Sequence, residues 1–478
     1  MAVDTLPQLL HLLPYGILCT GTLLSLLLSL FYAKQENKFI FSLLTALTVA
    51  GASIALLFVK GDHVIENSFL LVDHLGFGFA QVILLLLLLL VPVFVTESSS
   101  LDEKPSMVYG LCLLSACGGL LMVYANHLLI LFVGLELLSI PLYILTALGH
   151  MGRKSSEAAF KYFLLGSISS ALFVYGFALL WGTTGVATIS EIREIFKGTT
   201  ATSQGLLYLA FALMATGIAF KIGLAPFQMW VPDVYEGSPS VVIAWAAGAV
   251  KAASLAVALR LLGQPISAHW PTVLSGIAIL SMLWGSFGAL YQKNVKRMLG
   301  YSAIAHGGYA CVALVCAAQG ATTEACAALT FYILVYGLAN LTSFVILSCE
   351  EKRMQLTISD LNGLAERRPF FGLALAISLL SLAGLPPLGG FIGKFNIFIL
   401  AIEKKHFGLA FVGMATSVIS LFYYLRLIVA AYMEKPSHEG RLKLKWSTSY
   451  ALGVTITLTL LLGILPGYAI DFFLKGGQ

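Results

Sequence analysis

Along this chain apolar positions are the rule and polar ones the interruption. Runs such as VILLLLLLLVPVFV at 82–95 show neither the alternation of a half-buried strand nor the single stripe of a surface helix. A hydrocarbon layer about 30 Å thick needs about 20 apolar helical residues to cross it. On that rule the sequence predicts fourteen spans: 8–33, 39–60, 73–95, 106–124, 127–148, 157–180, 206–236, 238–262, 271–290, 299–318, 324–348, 370–401, 406–432 and 448–470. A transmembrane β-barrel is excluded, because its strands alternate. The first stretch lacks a basic leader and is too long for a cleaved signal, so it counts as a span. The expected fold is an all-α polytopic membrane protein.

Composition agrees with the pattern. Of 478 residues, 59% are hydrophobic and 11% charged, where a soluble domain carries about 25% charge. The seven cysteines lie in or beside apolar stretches with no CxxC and no Cys/His cluster, and read as small core residues. No glycine loop for a nucleotide is present. Lysine and arginine set orientation. Loops after odd-numbered spans hold sixteen of them: Lys34, Lys38, Lys104, Arg153, Lys154, Lys293, Lys296, Arg297, Lys352, Arg353, Arg367, Arg368, Lys435, Arg441, Lys443 and Lys445. The other side holds seven: Lys60, Arg193, Lys197, Arg260, Lys404, Lys405 and Lys475. The basic side is expected to be cytoplasmic and both termini external. The net charge of +5 then belongs to the loops and carries no signal for nucleic acid.

Five cations remain inside spans: Lys161, Lys221, Lys251, Lys394 and Arg426. At about 1.5 Å per residue, Glu136 lies about 14 Å deep, Lys221 about 22 Å and Lys251 about 20 Å. A charge at that depth costs at least about 2.5–3.5 kcal/mol, and snorkelling over about 6 Å does not relieve it. One structural ion pair would explain Glu136 with one lysine and leave the other lysine without a carboxylate. Proton handling explains all three. Lys161 follows Glu157 by four residues, an ordinary helix pair. Arg426 lies within snorkelling range. Lys394 suits an exit group or an anchor, and His306 a relay or a satisfied core histidine.

Spans seven and twelve are too long for one straight crossing and carry matching interruptions, GLAPF at 223–227 and GLPPLGGF at 384–391. Pro226, Pro386 and Pro387 remove backbone donors, while Gly389 and Gly390 loosen the chain. Freed carbonyls inside a membrane need protein or water beside them. SSEAAFKYFLLGSISSALFVYG at 155–176 is echoed by TTEACAALTFYILVYG at 322–337. The offset is five spans, an odd number, which predicts two inverted five-helix repeats. The expected organisation is a three-helix segment at 1–105, a first repeat at 106–262, an inverted second repeat at 271–432, and a final loop and helix at 433–478.

The blocks FVGLELLSIPLYIL (132–145), EAAFKYFLLGSISSALFVYG (157–176), GIAFKIGLAPFQMWVPDVYEGSP (217–239), NVKRMLGYSAIAHGGY (294–309) and LAGLPPLGGFIGKF (382–395) resemble the antiporter-like subunits of respiratory complex I. PDVYEG together with GKF is more similar to the N-type subunit than to the L or M types. No long lateral helix of the L type is expected, since about eight residues follow the last span. The resemblance implies a proton-translocating subunit of NADH:quinone oxidoreductase in a bacterial inner membrane. It also implies membrane-subunit neighbours and, indirectly, a peripheral redox arm. NADH, FMN, iron–sulfur clusters and quinone would belong to the wider complex, with no cofactor in this chain. By the same resemblance Glu136 tunes Lys221, the main proton carrier, Lys251 is the central lysine and Lys394 the distal one, with Lys161 and His306 accessory. Gln228 departs from the histidine common after PF, and glutamine does not titrate. A multi-subunit cation/proton antiporter or a membrane-bound hydrogenase subunit is the alternative; a stand-alone solute transporter and a structural scaffold are further ones.

Overall fold

A computed structural model describes residues 11–31, 37–58, 65–66, 69–97, 105–149, 152–198, 204–264, 266–267, 269–351, 356–436 and 445–474. Its helices are α1 (Leu13–Phe31), α2 (Lys38–Phe58), α3 (His74–Glu97), α4 (Pro105–Tyr124), α5 (Leu128–Ala147), α6 (Arg153–Thr184), α7 (Ile189–Gly198), α8 (Gln204–Ile222), α9 (Trp230–Gly237) and α10 (Ser240–Leu261). They continue with α11 (Trp270–Leu290), α12 (Val295–Ala317), α13 (Thr322–Glu350), α14 (Leu364–Arg367), α15 (Pro369–Ala383), α16 (Gly389–Glu403), α17 (Phe407–Met433), α18 (Trp446–Ile464) and α19 (Pro466–Leu474). A two-residue hairpin, Ile65–Glu66 with Leu71–Val72, precedes α3.

Twelve helices among the described residues are long and apolar enough to cross a membrane, against fourteen expected. The first expected span is α1, whose described apolar stretch is short, and the twelfth is divided between α15 and α16. The last expected span also ends early, because Pro466 starts a separate short helix. The amphipathic α7 was not foreseen; its ISEIREIFKG is too polar for a crossing.

The centre of the molecule is α13. All of its spanning window is buried, against 33% for α6. It packs against α3, α10, α12, α15, α16 and α18. Close approach elsewhere depends on glycine. A Cβ on Gly118 of α4 would lie 2.3 Å from the Leu138 backbone nitrogen of α5, so only the absence of a side chain admits that contact.

Two helices stop for the same local reason. Gly223 follows α8 at φ +81° and Gly384 follows α15 at φ +85°. Each glycine N–H, and that of the following leucine, turns back onto the last helical carbonyls, the glycine-capped ending that releases a chain from a helix. Pro226 and the Pro386–Pro387 pair follow, preceded and joined respectively by cis peptide bonds. The helix resumes at Trp230 and at Gly389.

Candidate functional site

Lys221 sits in the last turn of α8, one residue from the glycine ending. It is 2% exposed, and its Nζ donates to Ser139 Oγ at 2.8 Å and Tyr143 OH at 3.0 Å. Both acceptors belong to α5. Ser139 and Tyr143 lie three and seven residues beyond Glu136, on the adjoining part of the same helix face. Glu136 itself is half-buried, and its Oε1 is buried with no hydrogen-bond partner among the described residues. On its other flank the stripe is exposed, at Leu129, Val133 and Ile140. Glu136 thus marks the border between the Lys221 side of α5 and an uncovered apolar surface.

A cavity of about 20 Å³ lies between the two lysines, lined by Lys221, Lys251, Thr146, Tyr162, Trp230 and Tyr235 among others. That is room for about one water. Lys251, midway along α10, donates to the Ala303 carbonyl of α12 and lies 4.8 Å from the centre of the Tyr336 ring. No carboxylate partners it among the described residues.

Tyr336 leads to His306, with ring centres 4.9 Å apart. His306 is buried on α12. Its Nδ1 is 2.7 Å from Tyr332 OH and its Nε2 3.2 Å from Tyr424 OH. Tyr309, one turn on, packs edge-on to His306 and lies 4.8 Å below Lys394 Nζ. Lys394, on α16, donates to the Ala383 carbonyl at 3.0 Å and to Ser417 Oγ at 2.8 Å. That carbonyl is one of those freed by the end of α15. The structure therefore brings Lys251, His306 and Lys394 into one row, with tyrosines filling the gaps. The hydroxyls of Tyr309, Tyr336 and Tyr423 are buried.

Lys161 stands apart from that row. It pairs with Glu157 at 2.8 Å, as its spacing predicts, and with Asp233 at 2.7 Å. Asp233 and Glu236 also bind Arg297, and Glu236 binds Lys154. This network on the basic side meets the Lys221 pocket through Trp230 stacked on Tyr162, which packs edge-on to Tyr143. Arg426 reaches the Leu290 carbonyl at 2.7 Å and acts as an anchor. Gln228 is buried, and its Oε1 has no hydrogen-bond partner among the described residues.

Several assignments to loops need correction. Arg260 is 1% exposed and holds Asp73 through two hydrogen bonds of 2.6 and 2.8 Å. Lys296 is fully buried and paired with Glu351. Arg367 and Arg368 are largely buried against Glu350. Arg260 and Lys296 sit at the ends of spanning helices, whereas Arg367 and Arg368 lie between spans as expected; at all four an ion pair replaces solvent. Lys34, Lys60, Lys104, Lys352, Arg353, Arg441, Lys443 and Lys475 lie outside the described residues, as do the side chains of Arg193 and Lys197.

Residues 125–420 match the family described as NADH:quinone oxidoreductase/Mrp antiporter, TM. NADH-quinone oxidoreductase subunit N of Trichlorobacter lovleyi is 36% identical, over 94% of this chain and 93% of that protein. The chain belongs to the subunit N family of NADH-quinone oxidoreductase. Among solved structures, a chain of respiratory complex I from Thermus thermophilus with bound aureothin is 34% identical, with TM-score 0.82, over 96% of this chain and 99% of that one. A chain of the Mrp complex from Dietzia matches at TM-score 0.85, over 99% of this chain and 97% of that one, but at 18% identity it shows a shared fold only. As a subunit N family member, this chain is a proton-translocating membrane subunit of NADH:quinone oxidoreductase. Among its described residues no group of three or more histidine, cysteine or acidic side chains is placed to hold a metal.

Proposed function

We propose that protons cross the interior of this subunit along Glu136, Lys221, Lys251, His306 and Lys394. The observation that carries the reading is the placement of Lys251 and Lys394 on either side of His306, each over a tyrosine ring that also packs on the histidine. Lys221 receives a proton while the Glu136 charge lies near it. When that influence is withdrawn, the proton moves through the small cavity to Lys251. It then passes by way of His306, and the Tyr332 and Tyr424 hydroxyls that contact it, to Lys394, which releases it. A neutral amine accepts at each step and an ammonium donates, so no charge accumulates. Lys161 supports the basic rim rather than the row.

The two helix interruptions are read as the breaks of spans seven and twelve in an inverted repeat. Packing favours this: α4 with α5 and α6 with α8 are close partners in the first half, as α11 with α12 and α13 with α15 are in the second. The half-buried Glu136 beside an exposed apolar stripe favours a neighbouring membrane subunit covering α5, since an intramembrane carboxylate seldom faces lipid. In the assembled enzyme the basic side faces the cytoplasm and both termini the periplasm. NADH, FMN, iron–sulfur and quinone chemistry take place in other subunits.

The test is Lys221→Met in the assembled enzyme. Proton pumping per electron should fall while subunit content is unchanged. Normal stoichiometry in fully assembled K221M enzyme overturns the reading.

A further inference from the structure

A larger cavity, of about 170 Å³, lies in the half of the bundle nearer Asp73. Helix α2 supplies Val49 and Ser53 to its walls, α3 supplies Gln81, Leu85 and Leu88, and α19 supplies Phe472. At the back is Leu334 of the central helix α13, itself 5% exposed.

The sequence spacing gives this cavity its shape. Gln81, Leu85 and Leu88 follow at i, i+4 and i+7, and Val49 and Ser53 at i and i+4, so each wall is one stripe of a helix. The cavity is therefore a slot running along the helix axes. Counted from His74 at about 1.5 Å per residue, its α3 wall covers depths of about 10–21 Å. That range falls inside a hydrocarbon layer about 30 Å thick. The slot also has an open side. Helix α2 packs on α1, α3 and α4, whereas α19 packs on α3, α13 and α18, so the two lean on α3 without closing over it. Ser53, Gln81, Leu85 and Leu88 are each half-buried, and next to them Ile54 and Leu57 of α2 are exposed. At this depth the medium outside such an opening is lipid.

The lining calls for hydrocarbon. Its two polar side chains are spent on each other: Ser53 Oγ donates to Gln81 Oε1 at 2.6 Å, and Gln81 Nε2 donates to the Ser53 carbonyl at 3.1 Å. Water would find few partners here, and an apolar cavity of about 150 Å³ stays dry and takes up benzene instead. Left empty, the slot would deprive Leu334 and its neighbours of the contacts that close packing supplies. A helix from another subunit would send side chains across the slot, whereas an acyl chain lies along it. We propose that the slot holds one acyl chain of a membrane phospholipid. The chain backs the turn of α13 whose opposite side carries Tyr332 and Tyr336. This binding is independent of proton transfer along the lysine row.

The experiment uses the assembled enzyme in vesicles of phosphatidylethanolamine and phosphatidylglycerol, doped with a phospholipid that carries a diazirine on its acyl chain. After illumination, adducts are mapped by peptide mass spectrometry. Labelling of 81–88 and 49–53 should exceed that of the exposed Leu47 face several-fold. Leu85→Trp and Leu88→Phe each fill the slot from its own wall. Either should lower the slot adducts several-fold and leave those near Leu47 unchanged. Excess long-chain quinone should not compete. Slot labelling no stronger than that near Leu47 overturns the proposal, and this comparison needs only the unaltered enzyme. Labelling that persists in both assembled variants overturns it as well. Displacement by the quinone assigns the slot to a quinone tail and also overturns it.

Discussion

Arg260 and Asp73 clasp each other although 187 positions separate them in the chain. The guanidinium also donates to the Val123 carbonyl at 3.0 Å, so this one side chain joins α10, α4 and the start of α3. Replacing Asp73 with Asn leaves a buried cation without its counter-charge, a loss of about 3–5 kcal/mol. Thermal unfolding of the purified enzyme should show a clear drop for D73N. The double substitution Asp73→Leu with Arg260→Met removes both charges and should be less destabilised than D73N alone.

Tyr143→Phe deletes one of the two hydrogen bonds to Lys221 and keeps the ring. A hydrogen bond to a charged group contributes about 1.5–3 kcal/mol, so Lys221 should be held less firmly in its place. Pumping measured by dye quenching in vesicles should fall several-fold at unchanged assembly. Ser139→Ala should act in the same direction, and the two together more severely.

Tyr336 offers Lys251 the face of its ring rather than its oxygen. A desolvated cation over an aromatic ring gains about 2 kcal/mol. Tyr336→Phe should therefore preserve much more pumping than Tyr336→Leu. Equal rates in the two variants would show that the ring contact has no bearing on transfer.

Gly118→Ala would place a methyl group 2.3 Å from the Leu138 nitrogen and 2.8 Å from the Gly134 carbonyl. Neither backbone atom has a rotamer with which to move aside. Overpacking of this kind costs about 1–3 kcal/mol. The amount of assembled subunit in membranes should fall, and quantitative immunoblotting would detect it. Gly182→Ala, which meets nothing within 4 Å, is the control.

Much of this was legible because a membrane leaves few choices for backbone and charge. Long apolar runs gave the helices, and the glycine–proline clusters at 223–227 and 384–391 coincide with two helix ends. What stayed hidden was partnership across the fold. Tyr336 lies in the VYG echo, yet its counterpart Tyr175 is exposed, so the repeat alone did not separate them. Asp233 and Glu236 were quoted within a motif but not as the partners of Lys161, Arg297 and Lys154. Arg260 and Lys296 were misplaced in loops because charge at a span edge looks alike whether water or a carboxylate meets it.

Lys251 and Lys394 each rest on a main-chain carbonyl, that of Ala303 and that of Ala383. Side chains can be exchanged by a single codon, whereas a peptide oxygen survives every substitution at its own position. The two ammonium berths are thus written into the course of the backbone, and drift in the surrounding alanines can alter their fit but never delete the acceptor.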